Sequence, residues 1–323
     1  MNVLIVHAHH EPKSFSSSLA NQAATSLINA GHEVVMSDLY TMGFDPVSDR
    51  RNFQSVKDEN YLKQQAEEVF ATEQNSFSPD VEAEIQKLEA ADAVIFSFPL
   101  WWFGMPAILK GWCDRVLAAG RVYGGTKLYE TGIGNSRKRG MVLMTTGGGP
   151  DPYGGRGVNP PMDIIMQPIQ HGVFWFNGIL PLEPFIAWSP ARISDEQRKD
   201  FLESLSQRMA GLFDEAPLEF APLADFPGFG LDTQKRFYVT AERLKSPDEE
   251  FRRLAPIELE MLSEWKRTGI LLDFEAAAAD DPEWRGFLKM RAPDRTFVDQ
   301  KLTELPLAGY LKFHVTELAQ LNI

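Results

Sequence analysis

Residues 89–116 read EAADAVIFSFPLWWFGMPAILKGWCDRV. Val94 to Phe98 is an apolar run without alternation, the pattern of a strand covered on both faces. Pro106 then opens a helix on which Leu109, Trp112 and Val116 recur at helical spacing. A doubly buried strand feeding a helix is the repeating unit of a parallel α/β sheet. Upstream the unit recurs: residues 2–7 are apolar, a polar loop begins at His9, and Leu19, Ala23, Leu27 and Ile28 line a helix that Gly31 closes. Val34–Met36 makes another strand, and Val81, Ile85 and Leu88 a helix started at Ser78-Pro79. Downstream, Met141–Met144 is a strand, and Ser194 with Gln197 forms a capping box before Phe201, Leu205 and Met209. The reading is a doubly wound sheet of about five parallel strands.

Between Asp214 and Asp232 the periodicity stops in a stretch rich in Pro and Gly, PLEFAPLADFPGFGLD, which marks a boundary. We read 1–228 as the α/β domain and 229–323 as a second domain of another rhythm. Phe237, Val239 and Ala241 alternate with polar neighbours, and a helix runs from about Glu249 to Thr268, where Gly269 ends it and Pro256 is expected to kink or interrupt it. Strand-like runs at 269–274 and 284–291, a helix after Pro293, and the alternation of Leu311, Phe313 and Val315 complete a βαββαβ order, that of a ferredoxin-like module.

The chain has 323 residues, net charge −13 and one cysteine, Cys113. The excess of acid argues against general affinity for nucleic acid or anionic membrane, since phosphate binding rests on clustered Lys and Arg. A lone cysteine without metal-ligand spacing supports neither a disulfide framework nor a zinc staple, and a reducing cytoplasm is expected. Val3–Val6 is too short for a signal sequence, and no stretch approaches the roughly 20 apolar residues of a membrane helix.

Ligands of a parallel sheet collect at the carboxyl ends of its strands. Three loops there are unusual. The first, His7 to Ser16, enters a helix whose first amides lack partners, with Ser14, Ser16 and Ser17 beside His9; it reads as an anion site or, equally, as ordinary capping. In the second, Pro99-Leu100-Trp101-Trp102-Phe103 places three aromatic rings where a polar loop is usual, suiting a planar aromatic ligand; core or subunit packing is the alternative. The third, Thr145 to Gly157, is mostly Gly and Pro around Tyr153; it offers close backbone approach to a ligand, or is a plain surface loop.

Together, VLIVHAHHEPKSF (3–15), SDLY (37–40), the run 89–116, TTGGG (145–149) with Tyr153, and FAP (220–222) resemble the flavodoxin-like NAD(P)H:quinone oxidoreductases of the DT-diaphorase and modulator-of-drug-activity type. The resemblance covers about residues 1–228. It implies a homodimer, or a higher homo-oligomer, with a flavin at the subunit interface: FAD, as the long insertion Asp45–Pro79 suggests, or FMN as in related azoreductases. It further implies two-electron hydride transfer from NADH or NADPH through flavin N5 to a quinone or other planar aromatic acceptor, in ping-pong order. By motif match, His9, Ser14, Phe15 and Ser16 hold the pyrophosphate, Pro99, Leu100, Trp101, Trp102 and Phe103 pack on the isoalloxazine, and Thr145, Thr146, Gly147 and Gly148 bond its pyrimidine edge. The catalytic set is then Tyr153, Asn159 and Gly147. Asn159 stands where the family has a histidine, and an amide can donate a hydrogen bond but cannot carry the positive charge of a tyrosine–histidine relay. Trp101 stands where relatives often have Gln and makes the shelf more apolar.

The second module resembles muconolactone isomerase, best over LTELPLAGYLKFHVTELA (302–319). The isomerase's basic residues are missing and only Asp273 and Glu275 are ionisable on the corresponding strand, so an assembly or shielding role is expected. Two other functions stay open: an azo- or nitro-aromatic reductase using FMN, and a redox-capable ancillary subunit of a membrane transport system.

Overall fold

In the computed structural model, residues 1–124, 127–135, 137–226, 229, 235–267, 269–278 and 281–318 are described. The chain divides into two units, Met1–Pro222 and Leu223–Ile323. The expected boundary at 228 and 229 adjoins residues outside the described set.

The apolar runs of the first unit are central strands. β1 (Asn2–His7), β2 (Glu33–Asp38), β3 (Ala93–Pro99), β4 (Arg139–Thr145), β5 (Leu180–Pro181) and β6 (Phe185–Ala187) form one parallel sheet in the order β2-β1-β3-β4-β5, with β6 also on β4. β5 and β6 share one flank of β4, a fifth strand divided at Glu183-Pro184. Helices α1 (Phe15–Asn29) and α6 (Asp195–Ala210) cover one face, where Val3, Ile5, Ile95 and Leu143 meet Leu19, Leu27, Leu205 and Met209. Helices α3 (Pro79–Ala90), α4 (Ala107–Val116) and α5 (Met162–Ile169) cover the other, where Leu4, Val6, Val94, Phe96 and Val142 meet Ile85, Leu109, Trp112 and Ile165. Both faces of β1, β3 and β4 are buried, so these strands carry near-continuous apolar runs. On α1, Ile28 does not join the buried stripe and is exposed.

The insertion after β2 holds α2 (Gln64–Gln74) and is fastened to α4 by Arg115. Its guanidinium donates to Asn52 Oδ1 and to the Asp45 carbonyl, each at 2.7 Å, and pairs with Asp80. The capping box at Ser194 and Gln197 is present with both of its bonds.

The second unit follows the expected βαββαβ order: β7 (Lys235–Arg243), α7 (Glu249–Arg267), β8 (Leu271–Ala276), β9 (Arg285–Ala292), α8 (Arg295–Glu304) and β10 (Leu311–Leu318). Its antiparallel sheet runs β10-β7-β9-β8. One face carries Phe237, Val239, Leu288 and Met290 into a core with Leu262, Trp265, Val298 and Leu302 of the two helices. The opposite face shows Tyr238 stacked on Phe287. Of the two outcomes expected at Pro256, interruption does not occur: α7 runs through it as one helix. Pro256 and Arg252 are both exposed, so water can take the carbonyl that proline leaves unbonded. The expected helix end at Thr268 falls outside the described residues.

Candidate active site

At the carboxyl end of β3, Leu100 donates its amide to the Thr145 carbonyl at 2.8 Å, extending the pairing with β4 by one bond. Trp101 and Gly104 then bond each other in both directions, at 3.1 and 3.0 Å, closing a two-residue turn. Its central residues, Trp102 and Phe103, have φ of 51° and 60°. Both lie in the left-handed region, which bulky side chains enter at a cost of roughly 1–2 kcal/mol each. The strain brings almost no burial to Trp102, 98% exposed, and leaves Phe103 47% exposed. Two apolar rings held outward against both steric preference and the hydrophobic effect are the signature of a surface shaped for a partner.

Three neighbours complete this edge. From the loop after β1, His9 stacks on His10 with centroids 4.7 Å apart, and both rings lie near Trp101. The Glu11 amide donates to His9 Nδ1 at 3.0 Å, which leaves the proton of the neutral ring on Nε2, a free donor. Burial, then the charge of His10, lowers the His9 pKa. From the loop after β4, Thr145 and Thr146 are buried, and Thr145 Oγ1 bonds Ser16 Oγ at 2.7 Å across 129 positions of sequence. Thr146 Oγ1 donates to the Gly148 carbonyl and accepts from the Ser189 amide. A Cβ at Gly147 would meet nothing within 4 Å, so that loop faces open space. Third, Tyr153 sits in a 3-10 turn, Asp151–Tyr153, its ring edge-on to Phe103 and tilted against Trp188 at 5.5 Å.

The loop carrying Tyr153 is fixed by its backbone. The Asn159 amide donates to the Pro152 carbonyl, and Gly157 packs so closely that a Cβ there would stand 2.1 Å from the same oxygen. Only glycine fits. Tyr153 and Asn159 are thereby brought to one loop, but among the described residues no hydrogen bond joins their side chains.

Ser14 takes the capping alternative in full, accepting from the Ser17 amide at 3.1 Å as N-cap of α1. The anion alternative is left to the amides of Phe15 and Ser16, which precede the first intrahelical bond from Ser18 to Ser14, and to His9 Nε2. Phe15 itself is half-buried against the core of that face.

Beneath the loop lies a network that the motif reading missed. His7 is buried, with Nδ1 3.1 Å from Ser97 Oγ and Nε2 3.1 Å from Ser17 Oγ, and Ser17 Oγ donates to the Glu11 carbonyl. The chain of donors runs from Ser97 through a neutral His7 and Ser17 to the loop. Burial lowers the His7 pKa despite Asp38 nearby. A histidine and a serine inside otherwise apolar strands were the signal. Trp188 gave none, lying in a short irregular stretch. Cys113 is buried and its thiol is pushed up to about 12, so it is inert.

With this geometry in place, comparison with known proteins is informative. Residues 1–209 match the family described as having a flavodoxin-like fold. The chain is 41% identical over 224 residues to NAD(P)H dehydrogenase (quinone) 1 of Rattus norvegicus, covering 69% of this chain and 81% of that protein. It is 39% identical over 217 residues to ribosyldihydronicotinamide dehydrogenase (quinone) of Homo sapiens, covering 67% and 94%. Among solved structures, a candidate quinone reductase from Klebsiella pneumoniae superposes with a TM-score of 0.66 at 38% identity, covering 68% of this chain and 88% of that one. All three matches cover close to two-thirds of this chain.

Proposed function

The chain belongs to the flavodoxin-like family through residues 1–209, and on that premise we propose that it is an NAD(P)H:quinone oxidoreductase. The observation that carries the reading is the outward-facing, left-handed turn at Trp102 and Phe103, set between the Thr145-Thr146 edge and the His9 loop. Such a ledge suits the flat ring of a flavin and, on it, a flat donor or acceptor. When bound, the flavin supplies the ring nitrogen that takes hydride from NAD(P)H and gives it to the quinone.

The chain's own residues bind and orient. His9 Nε2 and the amides of Phe15 and Ser16 are the donors for pyrophosphate, with the helix dipole of α1 adding attraction. Pro99, Leu100, Trp101, Trp102 and Phe103 furnish the apolar wall and exclude water. Gly147 and Gly148 are the backbone donors for the pyrimidine edge where the Gly147 loop faces open space, with Thr145 and Thr146, whose own amide is bonded to the Ala187 carbonyl, forming the edge beside them. Tyr153 is the residue of its loop whose Oη can give or receive a proton, while the Asn159 amide can only hold a hydrogen bond. FAD is proposed over FMN because the insertion 45–79 is a built structure, with α2 and the Arg115 clamp, of the kind the resemblance links to the larger flavin. A homodimer is proposed because Trp102, Val158 and Ile164, all apolar and exposed, need cover. No helix among the described residues is long and apolar enough to cross a membrane, and a cytoplasmic location is proposed with a free buried thiol in support. The second unit is proposed to serve assembly or shielding.

Initial rates measured over a grid of NAD(P)H and quinone concentrations test the reading. Two-electron ping-pong exchange on one shelf gives parallel double-reciprocal lines. Intersecting lines would refute the exchange, and the absence of quinone-dependent oxidation would refute the activity.

A further inference from the structure

Between α7 and the sheet of the second unit lies a cavity of about 250 Å³. Small residues line it where larger ones would fill the space: Ala241, Gly286 and Ala276, side by side in register on β7, β9 and β8 with the Trp284 ring against Gly286, and Ala255 on the helix. Protein interiors rarely leave voids larger than a water molecule. About 150 Å³ is enough to hold benzene, so this space takes a two-ring molecule.

The walls say which kind. Phe251, Phe274, Trp284 and Phe313 supply ring faces and edges. The guanidinium of Arg243 is held over the rings of Trp284 and Phe251, at 5.0 and 5.8 Å. Glu258 is the one carboxylate on the lining; it is buried, and Oε2 accepts from the Leu307 amide at 2.8 Å. Among the described residues no donor is recorded for Oε1. The carboxyl keeps acceptor capacity in either protonation state, so an occupant that brings a donor can pair with it. An anionic occupant would face Glu258, a cationic one Arg243, and a neutral hydroxyl on an aromatic ring avoids both penalties. Burial raises the Glu258 pKa, as expected for a carboxyl on an apolar wall.

Access is also built. Arg243, Phe251, Ala255 and Leu259 line both the cavity and an open surface depression beside it, so they form the partition to solvent. Leu259 in that partition is 55% exposed.

We propose that this cavity is a binding site for a small neutral phenol of one or two rings, with the hydroxyl donated to Glu258. The site goes beyond the quinone-reductase reading of the first unit and stands without it.

Calorimetric titration of the full flavin-loaded chain with 1-naphthol counts its sites. Ala255→Phe fills the cavity, and Leu259→Trp, at an exposed position that folding tolerates, plugs its mouth. Each variant is expected to bind one naphthol fewer per chain than the parent, with quinone turnover unchanged. The methyl ether of 1-naphthol, which has no donor, is expected to bind at that site at least tenfold more weakly. Variants that titrate like the parent, or an ether that binds as tightly as the phenol, would overturn the proposal. A chain that shows the extra site yet reduces no quinone supports the cavity and removes only the reading of the first unit.

Discussion

The two units use the same residue types in opposite ways. In the first, Trp102 and Phe103 face solvent from a strained turn at the end of a parallel sheet. In the second, Phe251, Phe274, Trp284 and Phe313 turn inward around a void beside an antiparallel sheet. The difference follows from the connections. A parallel sheet covered on both faces has no room for a ligand among its strands, so binding moves to the loops at their ends. An open-faced sheet with helices on one side can leave a gap between layers simply by placing small residues opposite each other. Aromatic content alone therefore says little about a site; backbone conformation and the size of facing residues decide whether the rings form a ledge or a lining.

The sharpest way to break this contrast is to remove the ledge. Trp102→Gly with Phe103→Gly deletes two rings and relaxes two left-handed residues. Turnover is expected to fall about 100-fold, roughly 2.7 kcal/mol of transition-state stabilisation. The thermal midpoint is expected to hold or rise, because Trp102 is almost fully exposed and Phe103 about half exposed, so little burial is lost against the relief of two left-handed residues. A fall of the size seen on deleting a core aromatic would mean that they pack within the fold.

Next in size is the support beneath the ledge. His7→Leu leaves the buried hydroxyls of Ser97 and Ser17 without their imidazole, at an expected cost of about 2 kcal/mol in urea unfolding. Unchanged stability would show the network to be idle. A smaller, local effect is expected from Gly157→Ala, whose Cβ would collide with the Pro152 carbonyl and displace the Tyr153 loop. Turnover should drop about tenfold, close to 1.4 kcal/mol, with the fold intact; full activity would place Tyr153 outside the reaction.

The smallest effect is in pH. Burial depresses the His7 pKa below its ordinary 6.5, so the unfolded chain binds the proton more readily than the folded one. Stability is therefore highest above 6.5 and declines as pH falls through that value toward the folded pKa. The difference between urea stability at pH 7.5 and at pH 5.5 should change in His7→Leu by the loss of this one contribution, with His9, also depressed, still acting in the same direction.

β1 to β4, α1, α3, α4, α6 and the order of the second unit were legible because buried strands leave apolar runs and their helices leave stripes, whereas α5 and the short β5 and β6 were not assigned. Helix α2 was not, since its buried face carries Glu67 and Glu68: Glu67 accepts from the amides of Lys57 and Asp58, and Glu68 from that of Ala119. Buried carboxylates that satisfy loop amides erase the hydrophobic period on which a helix is read. Pro256 does not end its helix because, on the solvent side, the carbonyl it leaves unbonded can be hydrated. At the site, spacing and resemblance pointed to the three loops, but not to the left-handed turn. Nothing in the letters WWF announces positive φ, which arises only once Trp101 and Gly104 are bonded across it.

The most direct test of the central claim is the chromophore of the purified protein. The expected result is a yellow protein that releases one FAD per chain on heating and oxidises NAD(P)H only when a quinone is supplied. A colourless protein that takes up neither FAD nor FMN, and that leaves NAD(P)H unoxidised with quinone present, would contradict it.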